Sequence, residues 1–311
     1  MLKRVKVILN PYSNRGGAAR DIDTLRATLS SADLAVDFAL TDKTGHGIEL
    51  ARQARLDGYD VIAAAGGDGT VNEVVNGIAQ ATPPGETVGP LAIFPMGSGN
   101  DFSDMVGAPR DLASTIRNIQ AGRSRQIDLC QATVREEGRE ISRYFDNNMG
   151  AGFEAQVTVE SRKITRLRGV VIYLWAVIRA LRHYDQPQFD VTWIDETGAD
   201  HQVVQRSLLV TLGNSRRTGG VFYMTPDAVM DDGLLDMGIA QALTTPKILA
   251  LLPRVMTGSH RNHPAMRFVR CTSVNIATQM PVPVHTDGEV ISVAARSLTA
   301  RIEPGRLTVI S

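Results

Sequence analysis

Cysteine is scarce in this sequence: Cys130 and Cys271 are the only two in 311 residues. They fit neither a CxxC pair nor a zinc-ligand spacing, which sets aside a disulfide framework and a structural zinc. Both lie in strand-like runs and read as small buried hydrophobes. Such usage points to a reducing cytoplasm. Long hydrophobic runs are missing as well. The longest, Val170–Ile178, has nine residues, where spanning a bilayer takes about 20. The opening MLKRVKVILNP holds an apolar stretch too short for a signal peptide and reads as a first strand. Net charge is absent too. Thirty-three basic residues balance thirty-three acidic ones, so no global field favours nucleic acid. There is no repeat, no low-complexity tract and no GxxxxGK[ST], which excludes a Walker-type phosphate loop.

What remains is an ordinary globular composition, 43% hydrophobic and 21% charged. The length suggests about two domains. In the first third, strand and helix signals alternate. Val5–Leu9, Val36–Leu40, Val61–Ala65 and Leu91–Phe94 read as strands. Helical spacing joins Ile22, Leu25 and Leu29, then Ile48, Ala51 and Leu56, then Val71, Val74, Val75 and Ile78. This order predicts a parallel sheet with helices on both faces. Beyond Asp128 the texture changes. Val203–Leu212, Leu234–Ile239, Phe268–Ile276, Leu298–Ile302 and Leu307–Ile310 read as closely spaced strands, with helices only near 165–181 and 245–256. The expectation is an α/β domain over 1–128 and a β-rich, antiparallel sandwich-like domain over 129–305. The last strand, 306–311, is a candidate to rejoin the first domain.

Three glycine-rich loops each follow a predicted strand of the first domain: 10–17 (NPYSNRGG), 66–70 (GGDGT) and 97–101 (GSGND). Ligands of open α/β sheets bind beyond the carboxyl ends of the strands, where glycine lets backbone N–H groups approach phosphate. Any one loop reads equally as a plain turn; three together do not. Asp68 and Asp101 stand beside glycine in two of them. A carboxylate facing phosphate needs a cation between, and Mg²⁺ bridges in this way. The alternative is that each aspartate caps a helix.

GGDGTVNEVVNG at 66–77 and PMGSGNDF at 95–102, after NPYSN at 10–14 and followed by DDGLLDM at 231–237 and TDGE at 286–289, resemble the diacylglycerol kinase catalytic domain family. The resemblance spans nearly the whole chain in order, although GGDG alone is shared with NAD kinases. It implies an N-terminal ATP-binding α/β domain, a C-terminal β-rich domain and an active site in the cleft between them. It also implies that Asn10, Pro11, Ser13, Asn14, Gly66, Gly67, Asp68, Gly69, Thr70, Val71 and Asn72 meet the nucleotide. Thr41 joins them, as do Gly97, Ser98, Asn100 and Asp101, Ser98 standing in place of the usual threonine. Asp287 and Glu289 match the acidic motif that supplies the catalytic base, with Glu289 favoured and Asp68 as the fallback. Without the resemblance, Asp287-Gly288 reads as a hairpin turn. Were both acids on one strand, their spacing would put them on one face. The Asp232 carboxylate and the carbonyls of Val229 and Leu234 match a second Mg²⁺ site. Asp128 matches a further acidic position whose role is left open.

The implied activity is transfer of the γ-phosphoryl group of ATP to a lipid hydroxyl with Mg²⁺. An NAD kinase and a nucleotide-binding regulatory module are the rivals. A lipid acceptor requires access to a membrane, which would place a cytoplasmic protein at the inner membrane face. Segment 162–182 has six basic residues, no acidic one and a central apolar stretch with Tyr173 and Trp175. It reads as an interfacial helix or as a core helix with solvated ends. The identity of the lipid and the existence of a homodimer are left open.

Overall fold

The computed structural model describes residues 2–16, 18–164 and 170–311. Gly17 of the first glycine-rich loop lies outside them, as do residues 165–169 of the basic-flanked segment. The chain divides into two compact units, 1–129 with 304–311, and 130–303.

In the first unit, β1 (Lys3–Leu9), β2 (Leu34–Leu40), β3 (Val61–Gly66) and β4 (Val88–Pro95) form a parallel sheet in the order β2-β1-β3-β4. The end of the chain's last strand completes it, with Leu307 and Val309 running parallel to β4. Every residue of β3 is buried, as a continuous apolar strand covered on both faces must be. Its alternate residues Val61, Ala63 and Ala65 share a core with Val5, Val7, Leu25, Leu29 and Ile119. That core receives α1 (Ala18–Ser30) and α5 (Leu112–Ala121). α3 (Asp68–Gln80) packs on β3 and β4, and α2 (His46–Leu56) packs on α3. Gly77 permits the close helix contact, because a Cβ there would lie 2.6 Å from the Ala51 methyl. The short α4 (Asp101–Met105) follows β4.

The second unit is antiparallel throughout its described pairings. Its elements are β5 (Ser124–Glu136), β6 (Arg139–Phe145), β7 (Asn148–Gly152), α6 (Phe153–Arg162), α7 (Val170–Ala180), β8 (Gln188–Asp195), β9 (Asp200–Gly213), β10 (Leu235–Gln241), α8 (Thr245–Thr257), β11 (Met266–Thr286) and β12 (Glu289–Ile310). β5 begins in the first unit and crosses into the second. β9 and β11 each pair with β7, β8 and β10, and β12 pairs with β11. Phe145, Phe189, Trp193, Leu212, Met237 and Ile276 anchor the core. Cys130 and Cys271 are both fully buried and neither is in a disulfide. Burial pushes the Cys271 thiol up to about 12, so it is no nucleophile.

Candidate active site

Because β1, β3 and β4 are parallel, the three glycine-rich loops leave the same edge of the sheet. Asn10 ties two of them. Its N–H donates to Ala65 O (3.0 Å), and its Nδ2 donates to Thr70 Oγ1 (3.2 Å). Its Oδ1 accepts from Tyr12 N (3.0 Å), closing a side-chain turn over Pro11. Ser13 opens a 3-10 turn, and Asn14 takes a positive φ of 50°. Thr41 is buried, and its N–H reaches Leu9 O at 2.9 Å, which holds it beside the first loop.

The second and third loops touch backbone to backbone. A Cβ on Gly67 would stand 3.1 Å from Gly97 Cα, and one on Gly97 would strike Gly67 Cα. A Cβ on Gly66 would run into the Thr70 side chain. The third loop is closed by Asn100, at φ 57°, whose side chain pairs with both Gly97 N and Gly97 O at 3.0 Å. Ser98 sits exposed at its tip, and Asp101 is buried at the start of α4. Asp68 does not cap its own helix. Its Oδ1 accepts from Phe102 N at 3.1 Å, so the carboxylate bridges from the start of α3 to the first turn of α4. Its Oδ2 lies 3.0 Å from where a Cβ on Gly99 would be. Glycine there keeps space open at the second oxygen. Gly69 likewise has open space above it. Together the loops offer the first N–H groups of α3, a 13-residue helix, and one fixed carboxylate. That arrangement accepts phosphate oxygens together with a hard cation.

Val71 and Asn72 are each 2% exposed, and Asn76 Nδ2 donates to Asn72 O at 2.9 Å. The Asn72 side chain also accepts from Asn76 Nδ2 at 3.2 Å, and Val71 is buried beside it in α3. Glu73 enters the site only in the structure. It is buried, and its carboxylate accepts from Gly45 N (2.7 Å) and Gly47 N (2.8 Å). It thereby fixes the loop after Thr41. An acid amid the apolar face of a predicted helix was the available signal.

In the second unit, Asp287-Gly288 is the two-residue turn joining β11 to β12, with φ of 47° and 78°. The two acids of the motif are therefore not on one strand, as the spacing rule assumed: Asp287 occupies the turn and Glu289 starts β12. The Asp287 carboxylate folds back onto the chain before β7. Oδ1 accepts from Asn148 N (2.7 Å) and Asn147 N (3.1 Å), and Oδ2 accepts from Asp146 N (3.0 Å). Burial pushes this carboxyl up to about 6, against the pull of those three donors and of His285. His285 is itself buried and lies 3.3 Å from Glu154 Oε1, which also accepts from Asn148 Nδ2 (2.9 Å). β7 can pass this cluster only because residue 150 is glycine; a Cβ would stand 2.6 Å from His285 Nε2.

The turn before β10 carries the other acids. Asp232 Oδ1 accepts from Leu234 N at 3.0 Å, and Oδ2 pairs with the Arg270 guanidinium. Arg270 also reaches Glu196 at 3.4 Å. Val229 is partly exposed. Among the described residues, no three His, Cys, Asp or Glu side chains converge to hold a metal.

The model of the diacylglycerol kinase catalytic domain matches residues 4–132. That of the YegS C-terminal NAD kinase beta sandwich-like domain matches 147–311, more than half of the chain. The chain belongs to the diacylglycerol kinase catalytic domain family, that domain being joined to the YegS-type C-terminal domain. Two curated relatives agree. A diacylglycerol kinase of Staphylococcus saprophyticus is 29% identical over 290 residues, which is 93% of this chain and 90% of that one. One from Staphylococcus aureus strain MRSA252 is 29% identical over 289 residues, 93% and 87% of the two chains. Among solved structures, a diacylglycerol kinase of Bacillus anthracis shares the fold with a TM-score of 0.70 at 23% identity, covering 99% of this chain and 96% of that one. Yeast NADH kinase shares it more distantly, with a TM-score of 0.54 at 11% identity over 100% and 83% of the two chains. The α/β unit and the antiparallel β-rich unit are thus the two halves of a kinase family fold.

Proposed function

We propose that this kinase transfers the γ-phosphoryl group of ATP to the hydroxyl of a lipid, diacylglycerol or a similar one, with Mg²⁺. The observation that carries the proposal is the interlock of the Gly67 and Gly97 loops around Asp68 at the start of α3. It supports a fixed phosphate cradle formed by backbone N–H groups, with Asn10, Thr41, Thr70, Ser98 and Asn100 shaping its rim. Bound Mg²⁺ would be held by the Asp68 carboxylate and supply charge neutralisation at the phosphates. The acceptor hydroxyl must lose a proton as its bond to phosphorus forms. We assign that proton to the acidic motif of the second unit. The sequence favoured Glu289; we favour Asp287 instead. Three backbone donors fix its carboxylate in place, and burial raises its carboxyl to about 6, nearer the neutral range where a base works best. Labelled ATP supplied with mixed lipids, with NAD, or alone tests the assignment. Label in lipid is expected; label in NADP would favour the chemistry of the NADH kinase that shares the fold, and ATP binding without transfer would favour a regulatory module.

We further propose that the Val229–Leu234 turn takes a second Mg²⁺ through the Asp232 carboxylate and the carbonyls of Val229 and Leu234. The oxygen-only donor set fits, but the cation at Asp232 in this structure is Arg270. Because Arg270 keeps Glu196 as a partner, releasing Asp232 would not strand it. EDTA is therefore expected to lower the Tm of the wild type and to leave that of Asp232→Ala unchanged. Arg270→Ala should lower the Mg²⁺ concentration needed for the stabilisation. A wild-type melt indifferent to EDTA would leave the turn to the Asp232–Arg270 ion pair alone.

A further inference from the structure

β11 enters the Asp287 turn through a histidine. His285 is 2% exposed and pairs in register with Gly150 on β7 and Val290 on β12. The preceding pair, Val284 and Ala151, belongs to the hydrophobic core. Strand alternation therefore turns His285 to the other face, where α6 packs on β11. There Glu154, in the first turn of α6, brings Oε1 to 3.3 Å from His285 Nε2. The two side chains meet over Gly150, where a Cβ would stand 2.6 Å from Nε2 and 2.7 Å from Glu154 Oε2. Glu154 is tied down in turn by Asn148 Nδ2 (2.9 Å), from the residue whose N–H holds Asp287 Oδ1 (2.7 Å).

Packing does not account for this ring. Neither of its nitrogens, nor Glu154 Oε2, makes a directed hydrogen bond among the described residues. Burying polar groups in that way opposes folding, and an apolar side chain would avoid it. What the ring adds is electrostatic. The titratable and charged groups on the elements around it are mostly acids. They are Glu154 and Glu160 on α6, Asp146 between β6 and β7, Asp287 in the turn and Glu289 at the start of β12; β7 carries none. Glu160 is taken up by Lys163 (2.6 Å) and Arg179 (2.8 Å). Arg162, at the end of α6, donates to Gly288 O at 3.2 Å. Burial pushes the Asp287 carboxyl up, and His285 pulls it down.

We propose that His285 is a positioning residue for phosphoryl transfer, held by Glu154 across the gap at Gly150 and acting through the field it sets at Asp287. It acts on the base and not on the substrate. Burial favours the protonated form of a carboxyl, and a protonated acid cannot take the proton of an acceptor hydroxyl. The ring offsets that effect, so the turn can bury its aspartate and still have it serve. The inference rests on the reading of Asp287 as the base and deepens it.

Transfer measured across pH in His285→Gln tests it. The amide keeps a polar side chain of similar reach without a ring that can carry charge. The midpoint through which transfer falls should move up by at least about one unit, as loss of a neighbouring opposite charge does. Below pH 6 that is about a tenfold loss of ionised base, and it fades as pH rises. An equal loss at every pH, with the midpoint unmoved, would make the ring structural and overturn the proposal. The intact wild type gives a second reading, independent of how the variant folds. With ¹³C-labelled aspartate and histidine, the Asp287 carboxyl resonance is identified by its absence from Asp287→Asn. It and the His285 ring resonance should each bend twice, once at its own titration and once at the other's, as interacting sites do. Single, independent inflections overturn the proposal. If Asp287→Asn transfers normally, the reading of the base has failed and this inference falls with it. If Asp287→Asn is inactive while the His285→Gln midpoint stays with the wild type, the base stands and this inference alone fails.

Discussion

Asp287→Asn is expected to cut phosphoryl transfer by ~10²–10⁴, the usual worth of a general base, while ATP binding persists, because the glycine-rich loops proposed to hold it belong to the other unit. The amide can accept at one atom only, so the three backbone donors at 146–148 will not all be satisfied. Some loss of Tm is expected beside the kinetic loss, and Glu289→Gln is the companion variant that leaves this network intact. The pH profile separates the two effects. A base works only when ionised, so wild-type transfer should fall as pH drops through about 6, the value to which burial raises Asp287. Stability responds with the opposite sign. The folded pKa lies above the unfolded one, so this group favours folding most when protonated. That contribution fades as pH rises from about 4 to about 6. If Glu289→Gln abolishes transfer and Asp287→Asn does not, Glu289 is the base and the kinase assignment stands. Normal transfer by both would send the search to Asp68.

Asp68→Asn should lose ~10²–10³ in kcat with little change in fold. The amide oxygen still accepts from Phe102 N, so the bridge between α3 and α4 survives. What it loses is the charge that would hold Mg²⁺ against phosphate. The expected signature is a kcat loss with a raised Mg²⁺ requirement and an unchanged Tm. A variant with normal turnover would reduce Asp68 to the anchor of α4.

Much of the first unit was legible because each element carries its own period and β1, β3 and β4 each run into a glycine-rich loop. β1 to β4 and α1 to α3 were all visible in the sequence, within a few residues at their ends. The second unit was harder, for specific reasons. β7 reads NMGAG, with no β-branched residue, yet it is a fully buried strand. Its small residues answer to His285 and Glu154 beside it and not to strand propensity. β5 and β6 place Arg135, Glu136, Glu140 and Arg143 among their apolar residues, which blurs the alternation. β11 carries Pro281 and Pro283 in its interior, a pattern that argues against a central strand. The structure absorbs them where the register with β12 shifts between Ala277 and Val284. In the candidate site, the glycines and acids were legible as types. Their connections were not, because Asp68 to Phe102 and Asp287 to residues 146–148 are separated by 34 and up to 141 positions.

β12 begins one residue after the Asp287-Gly288 turn and ends beside β4. On the ribosome, residues 1–129 emerge long before 304–311. Until those last residues appear, β4 is left with a bare edge of backbone donors and acceptors, an invitation to pair with another nascent chain. The bulk of the α/β unit is therefore translated well before its sheet is closed. Release of a truncated product lacking 304–311 would strand it in that open state, however complete its glycine-rich loops.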